Sequence, residues 1–200
     1  MTKGTLAIAI ILVVIILVGG CGCSGYNSLV NQDEAVKKAW NNVQAEYQNR
    51  SNLIPDLVST VKGAANFEQK TLTDVVEARA SATKVNINAD NLTPEKMAEF
   101  QAAQSQLSGS LSRLLVSVEA YPTLTATKNF TELQHSLSGI EGSIKNARMQ
   151  FNDAINVYNV KVRSFPMNIL GGMFGFHQKE GFKADEGAQN SPNVNDLLNK

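Results

Sequence analysis

The chain has 200 residues, with 18 basic and 18 acidic side chains and a formal net charge of zero. This balance argues against nucleic acid as a partner, because it implies no basic face. Aromatic residues make up 6% of the chain and only two cysteines are present, which excludes a disulfide framework and favours a helical core built from aliphatic residues.

The first 25 residues predict a membrane-anchoring segment. Residues 6–18 form an uninterrupted apolar run, and residues 4–25 carry no charge. A helix of about 22 residues spans about 33 Å at ~1.5 Å per residue, enough to cross a bilayer core as a transmembrane helix. The alternative is a bacterial lipoprotein signal, in which Cys21 of the sequence VGGC (18–21) is lipidated. A cleaved secretory signal is a third interpretation.

Flanking charge bears on the side of the membrane that the remaining chain occupies. Lys3 and the amino terminus stand against Lys37 and Lys38, so the positive charges nearly balance. A lipoprotein signal places the domain outside the cytoplasm, and we therefore expect the non-cytoplasmic side.

A long amphipathic helix is predicted from Asn27 to Gly63. Its apolar residues fall on two heptad registers. These are Leu29, Val36, Val43 and Leu57 in the first register, and Trp40, Tyr47, Ile54 and Val61 in the second. Arg50 also falls on a core register. Pro55 is expected to kink the helix near residues 51–52 without ending it, because the apolar pattern resumes after it.

A second helix is predicted over residues 67–84, followed by a turn-rich loop at 86–91. Its apolar residues are Leu72, Val75, Val76 and Ala80.

Thr93 is predicted to cap a third helix, with Pro94 at its first position. Tyr121 precedes a proline and ends this helix. A last helix is predicted from 130 to 165 because apolar residues recur every seven positions over five heptads. These residues are Phe130, Leu137, Ile144, Phe151, Tyr158 and Phe165.

Together these elements predict an all-α protein, an elongated antiparallel helical bundle that follows the N-terminal anchor. The bundle is expected to cover residues 26–166. Residues 167–182 are apolar and glycine-rich, and we expect them to pack on the bundle or the membrane. Residues 183–200 are polar and are expected to form a disordered tail. A long coiled-coil dimer is the alternative architecture.

Several sequence blocks resemble the LemA family of bacterial proteins over about residues 26–182. The blocks include NLIPDLVSTVKG (52–63), LSRLLVSVEAYP (111–122), FNDAINVYN (151–159) and FPMNILGGMFGF (165–176). The resemblance implies an N-terminal membrane segment followed by an antiparallel helical bundle. It implies no established catalytic activity, cofactor or ligand, so it assigns no functional residues.

The sequence carries no recognisable active site, so no catalytic, cofactor-binding or metal-binding residues are predicted. The two histidines, His135 and His177, lie in no metal-binding motif. Arginines and glutamates near core positions favour partly buried ion pairs that set helix register, with an internal polar site as the alternative. They are Arg50, Arg79, Arg113 and Arg148, with Glu68, Glu77, Glu119 and Glu141.

These observations favour a membrane-anchored, non-enzymatic bundle of the bacterial cell envelope that acts as a scaffold or accessory interaction factor. Its expected partners are the membrane and an unknown protein. The alternative is a ligand-binding or enzymatic bundle with an internal Arg/Glu polar site.

Overall fold

The computed structural model describes residues 3–63 and 67–183, and side chains from Ser24 onward together with Leu12. Its regular elements are α1 (Lys3–Lys62), α2 (Gln69–Lys84), a 3₁₀ turn (Ala89–Asn91), α3 (Pro94–Val118), α4 (Pro122–Thr125), α5 (Lys128–Arg163) and α6 (Met167–Met173). Every regular element in these ranges is helical, which confirms the predicted all-α class.

Two predictions concern residues that the structure does not describe. The side chain of Cys21 and most of the apolar run lie outside the described side chains, and residues 184–200 of the predicted tail lie outside the described residues. Within the part of the chain that is described, none of the helices combines the length and the apolar character that crossing a membrane requires. The anchor therefore stays a prediction.

The helices α1 and α5 form the main antiparallel pair of the bundle. Trp40 on α1 lies with its ring 5.1 Å from that of Phe151 on α5, whereas the later Arg50 contacts the earlier Glu141. Both predicted heptad registers of α1 are buried, as are the α5 register positions from Phe130 to Tyr158. The sevenfold repeat thus places one apolar stripe of each helix in the core.

The helices α2 and α3 form a second antiparallel pair. The Thr93 hydroxyl accepts a hydrogen bond from the Lys96 amide at 3.4 Å, so the predicted cap is present. At the opposite end, the Phe67 ring lies 5.1 Å from the Tyr121 ring. This pair covers the half of α1 that follows Ser51.

Three apolar residues of the predicted helices lie outside the core. Val76 is 48% exposed and Ala80 is exposed, because the buried stripe of α2 passes through Ala78 and Ala82 instead. Phe165 is 81% exposed, because α5 ends at Arg163, before the heptad repeat is complete.

The loop between α2 and α3 belongs to the core. Ile87, Ala89 and Leu92 are buried. The Trp40 indole Nε1 donates a 2.9 Å hydrogen bond to the Ile87 carbonyl. A segment that the sequence predicts as a turn-rich loop therefore packs against α1 and covers one side of the core.

Candidate functional site

A polar layer divides the core of the bundle. One apolar cluster surrounds Trp40 and Phe151, and a second surrounds Leu57 and Leu114. Between them lies Arg50, which is 1% exposed. Its position on the α1 register places a permanently charged guanidinium where an apolar side chain is expected.

The Arg50 guanidinium joins α1 to α3 and α5. Its Nη1 atom donates to Ser108 Oγ at 2.7 Å and to Glu141 Oε1 at 2.9 Å. Its Nη2 atom donates to Gln104 Oε1 at 2.6 Å, and Gln104 Nε2 in turn reaches the Ala82 carbonyl of α2 at 3.5 Å. All four long helices therefore meet at one network.

The carboxylate that balances the charge of Arg50 lies on the solvent side of the guanidinium. Glu141, the counter-ion, is 43% exposed at its side chain, so the ion pair runs from the core to the surface. The Tyr47 ring lies 5.1 Å from the guanidinium carbon and supplies a cation–π contact. Arg50 Nε has no hydrogen-bond partner among the described residues.

Arg79 of α2 donates a hydrogen bond to α1 at the point where Pro55 removes one. Proline has no N–H, so the Ser51 carbonyl four residues earlier loses its helical donor. Arg79 Nε donates to this carbonyl at 2.8 Å. The arginine thereby replaces the missing bond and allows α1 to continue through the proline.

The other predicted polar residues do not join this network. Arg113 donates to Ser110 Oγ at 3.1 Å on its own helix, and Glu77 and Glu119 are exposed. His135 is exposed on α5. Among the described residues, no group of three or more His, Cys, Asp or Glu side chains is arranged to hold a metal.

A groove of about 830 Å³ runs between α3 and α5, whose backbones are not closely packed against each other. Tyr47 and Arg50 of α1 contribute to its lining. The α3 and α5 residues that line it are Ala98, Gln101, Ala102, Gln104, Ser105 and Ser108, with Glu141, Ile144 and Arg148. Lys183 lies at its edge. Polar and charged side chains thus face an open channel above the buried arginine.

The segment 177–183, here called the strap, is bound along α5. Asn159 accepts a hydrogen bond from the Lys179 amide at 2.9 Å and donates to the Lys179 carbonyl at 2.8 Å. Asn152 makes the same pair of bonds to Phe182, at 2.8 and 3.1 Å. Each asparagine side chain therefore forms hydrogen bonds with the backbone of the extended strap and not with its side chains.

The last described residues of the strap lie between the walls of the groove. The Phe182 side chain is buried, with its ring 6.3 Å from Phe100 on α3 and 5.6 Å from Phe151 on α5. The Lys183 carbonyl accepts hydrogen bonds from Gln101 on α3 at 3.0 Å and from Arg148 on α5 at 3.5 Å. The seam between α3 and α5 therefore already holds an extended segment at one end.

A charge cluster fastens the strap to α1. Lys179 Nζ lies 2.7 Å from Asp33 Oδ1, and Lys37 Nζ lies 3.0 Å from Asp33 Oδ2. Burial alone would raise the pKa of Asp33, but hydrogen bonds from the two lysines outweigh it and lower the pKa below its ordinary value. Burial also raises the pKa of Tyr158, which donates to the His177 carbonyl at 2.9 Å, to about 12.

The sequence predicts that residues 167–182 pack on the bundle or the membrane, but it does not identify the side chains that hold the strap. A signal was present, because Asn152 and Asn159 lie seven residues apart on α5 and so share one face of the helix. Their partners are backbone groups of a segment without periodicity, and no pattern in the sequence identifies such partners.

Comparison with known proteins places this sequence in a family. The sequence model of the LemA family matches residues 39–195. Magnetosome protein MamQ 2 of Paramagnetospirillum magneticum is 23% identical over 175 residues, covering 79% of this chain and 64% of that protein.

Two further relatives show a similar level of identity. Magnetosome protein MamQ of Magnetospirillum gryphiswaldense is 24% identical over 174 residues, covering 78% of this chain and 64% of its own length. Protein LemA of Metamycoplasma hominis is 23% identical over 160 residues, covering 80% of this chain and 69% of its own. The chain thus spans about 64% of the length of the MamQ relatives.

Proposed function

The chain belongs to the LemA family, and on that basis we propose that it is a membrane-anchored, non-enzymatic helical bundle that acts as a scaffold or accessory interaction factor of the bacterial cell envelope. The N-terminal 25 residues fix its location. The bundle presents the groove between α3 and α5 to a protein partner, on the non-cytoplasmic side of the membrane.

One observation carries the choice of the groove. The strap shows that the α3–α5 seam accommodates an extended segment and binds its backbone through side-chain amides. Among the described residues, the seam continues beyond Lys183 as an open channel with exposed Ser105 and Ala102 on one wall. An extended segment of a partner finds the Ser105 hydroxyl on the α3 wall and the Glu141 carboxylate on the α5 wall as hydrogen-bonding groups there.

Two observations support a non-enzymatic role. The Arg50 side chain is neutralised by Glu141 and hydrogen-bonded to Gln104 and Ser108, so its terminal donors are already occupied. The MamQ relatives are named after a cellular structure, the magnetosome, rather than after a reaction.

Site-specific photo-cross-linking in intact cells tests the groove. A photoreactive amino acid replaces Ser105, which lines the groove, and in a matched control it replaces the neighbouring Gln106, which is exposed on the same helix outside the groove. We expect one defined partner to be cross-linked from position 105 and not from 106. Equal labelling from both positions, or none, would refute the groove as the binding surface.

Membrane fractionation and intact mass test the anchor. We expect the full chain in the membrane fraction. An unmodified start at Met1 identifies a transmembrane helix, whereas a chain that begins at lipidated Cys21 identifies a lipoprotein. Protease added to spheroplasts should digest the bundle if it lies outside the cytoplasm, and a bundle protected until lysis would reverse the proposed orientation.

The unpartnered Arg50 Nε favours a second candidate, a ligand-binding or enzymatic bundle with an internal Arg/Glu polar site. A carboxylate ligand in the groove would then approach the guanidinium. A screen of small carboxylates by thermal shift tests this candidate. A rise in melting temperature for the natural chain that is absent in Arg50→Met would favour it over the scaffold.

A further inference from the structure

Exposed apolar side chains gather around α6. Phe165 is 81% exposed, Ile169 62%, Met173 78% and Phe174 55%. These four residues are here called the α6 patch. Phe165, Ile169 and Met173 are spaced by four positions, so the last two extend along one face of α6 and Phe165 precedes them in line.

The orientation of α6 is set by its other face. Met167 and Gly171 are buried, with Met167 against Gly25 and Gly171 next to Leu29 of α1. Gly25 leaves room for this approach, since an added Cβ there would lie 2.8 Å from Met167 Sδ, closer than van der Waals contact allows. The close fit on α1 leaves Phe165, Ile169 and Met173 of the α6 patch exposed to solvent.

The α6 patch lies at the end of the bundle from which α1 continues toward the N-terminus. The Phe174 ring stands 5.2 Å from the ring of Tyr26, edge to face. The apolar run of the sequence ends at residue 18, and α1 is helical throughout this stretch. Eight residues at ~1.5 Å each place Tyr26 only about 12 Å from that run.

The charges near this end suit an anionic surface. Residues 164–176 and residues 4–32 contain no acidic side chain. Arg163 is exposed at the end of α5, and the first acid along α1, Asp33, is paired with Lys37 and Lys179. An apolar surface that lacks acidic side chains and lies next to an exposed arginine is compatible with the interface of an anionic membrane.

We propose that the α6 patch docks into the interface of the lipid bilayer. The anchor then holds the protein at the membrane, while α6 fixes the end of the bundle against it and limits the swing of the bundle about α1. This inference rests on the proposed N-terminal anchor and adds a second, separate membrane contact.

Quenching of tryptophan fluorescence by brominated lipids tests the docking. The full chain with Ile169→Trp or Met173→Trp is reconstituted into vesicles of phosphatidylcholine and phosphatidylglycerol that carry brominated acyl chains. Met149→Trp is the matched control, because Met149 is 51% exposed on α5 but lies about 21 Å along the helix from its end at Arg163. Buried Trp40 contributes the same background to all variants.

We expect at least twofold stronger quenching at positions 169 and 173 than at 149, and weaker quenching when phosphatidylglycerol is omitted. Equal quenching at all three positions in chains that float with the vesicles would overturn the docking while the anchor stands. A blue shift at 169 and 173 that grows with protein concentration, without quenching, would assign the patch to a second copy and also overturn it. Chains that fail to float would refute the anchor itself.

Discussion

Arg50 shows how a single charged residue can organise a bundle core. Its register position would admit an apolar side chain, yet the guanidinium contacts α3 and α5 directly and reaches α2 through Gln104. A slip of one helix by a single turn would separate it from Glu141 by about 5 Å and leave a buried cation unpaired. The polar layer thus favours one register of α1, α3 and α5.

Removing Glu141 should cost more than removing both charges. Glu141→Ala leaves the buried guanidinium without its counter-ion, and we expect the free energy of unfolding to fall by about 3 kcal/mol. The double variant Arg50→Met/Glu141→Ala should regain at least half of that loss, because it removes the unpaired charge. Urea denaturation of the three proteins measures the difference. Equal stability of the single and double variants would show that the pair is too hydrated to matter.

Asp33 makes stability depend on pH at the acidic end. Its folded-state pKa lies below the ordinary value of 3.8, so the ionised carboxylate stabilises the folded state above that value, and this contribution is lost as the pH falls through the folded-state pKa. Asp33→Asn should therefore lower the melting temperature at about pH 7, and the gap to the natural chain should begin to narrow below about pH 4 and close as the pH falls through the folded-state pKa. Exposed Asp153→Asn is the control, and a gap that stays constant with pH would contradict the assignment.

At the scale of elements, Arg79 and Pro55 form a linked pair within the two helices α1 and α2. Arg79→Met should cost about 1.5 kcal/mol, because it removes a charge-assisted bond to the Ser51 carbonyl. In a Pro55→Ala background the same change should cost less, since the amide of the introduced alanine can donate to Ser51. A double-mutant cycle measures the coupling, and strictly additive effects would show that Arg79 does not replace the missing bond.

The strap depends on the two asparagines of α5. Asn159→Asp keeps the acceptor for the Lys179 amide but loses the donor to the Lys179 carbonyl. We expect faster hydrogen exchange at the amides of residues 177–183 and a loss of about 1–2 kcal/mol. Asn156→Asp, exposed on the same helix, is the matched control. Unchanged exchange in the strap would show that Phe182 and Lys179 hold it without the clamp.

The elements differ in how far the sequence predicts them. The bounds of α3 and α5 lie close to prediction, because caps, prolines and heptad repeats are local signals. The burial of Ile87 and the binding of the strap depend on partners distant in the sequence and on backbone groups, which no local pattern encodes. Arg50 was visible as a charge on a core register, whereas Gln104 and Ser108 carry no comparable signal.

At the scale of the whole molecule, the first and last long helices, α1 and α5, pair with each other, and the α2–α3 pair lies between them in the sequence. The contacts between α2 and α3 join residues that are close in the sequence. The contact between Trp40 and Phe151, by contrast, joins two residues that are far apart in the sequence. Refolding should therefore protect α2–α3 amides before those of α1, because short loops close first. Pulsed hydrogen exchange measures the order, and simultaneous protection of all helices would contradict it.

The same pairing has a consequence for biosynthesis. The ribosome completes α1 about 100 residues before it completes α5, the helix that covers the apolar face of α1. At ~5–20 residues per second this interval lasts about 5 to 20 seconds. During that time Trp40 and its apolar neighbours on α1 are exposed, because their partner helix has not been synthesised. A chaperone that binds exposed apolar segments should therefore bind the nascent chain in this interval.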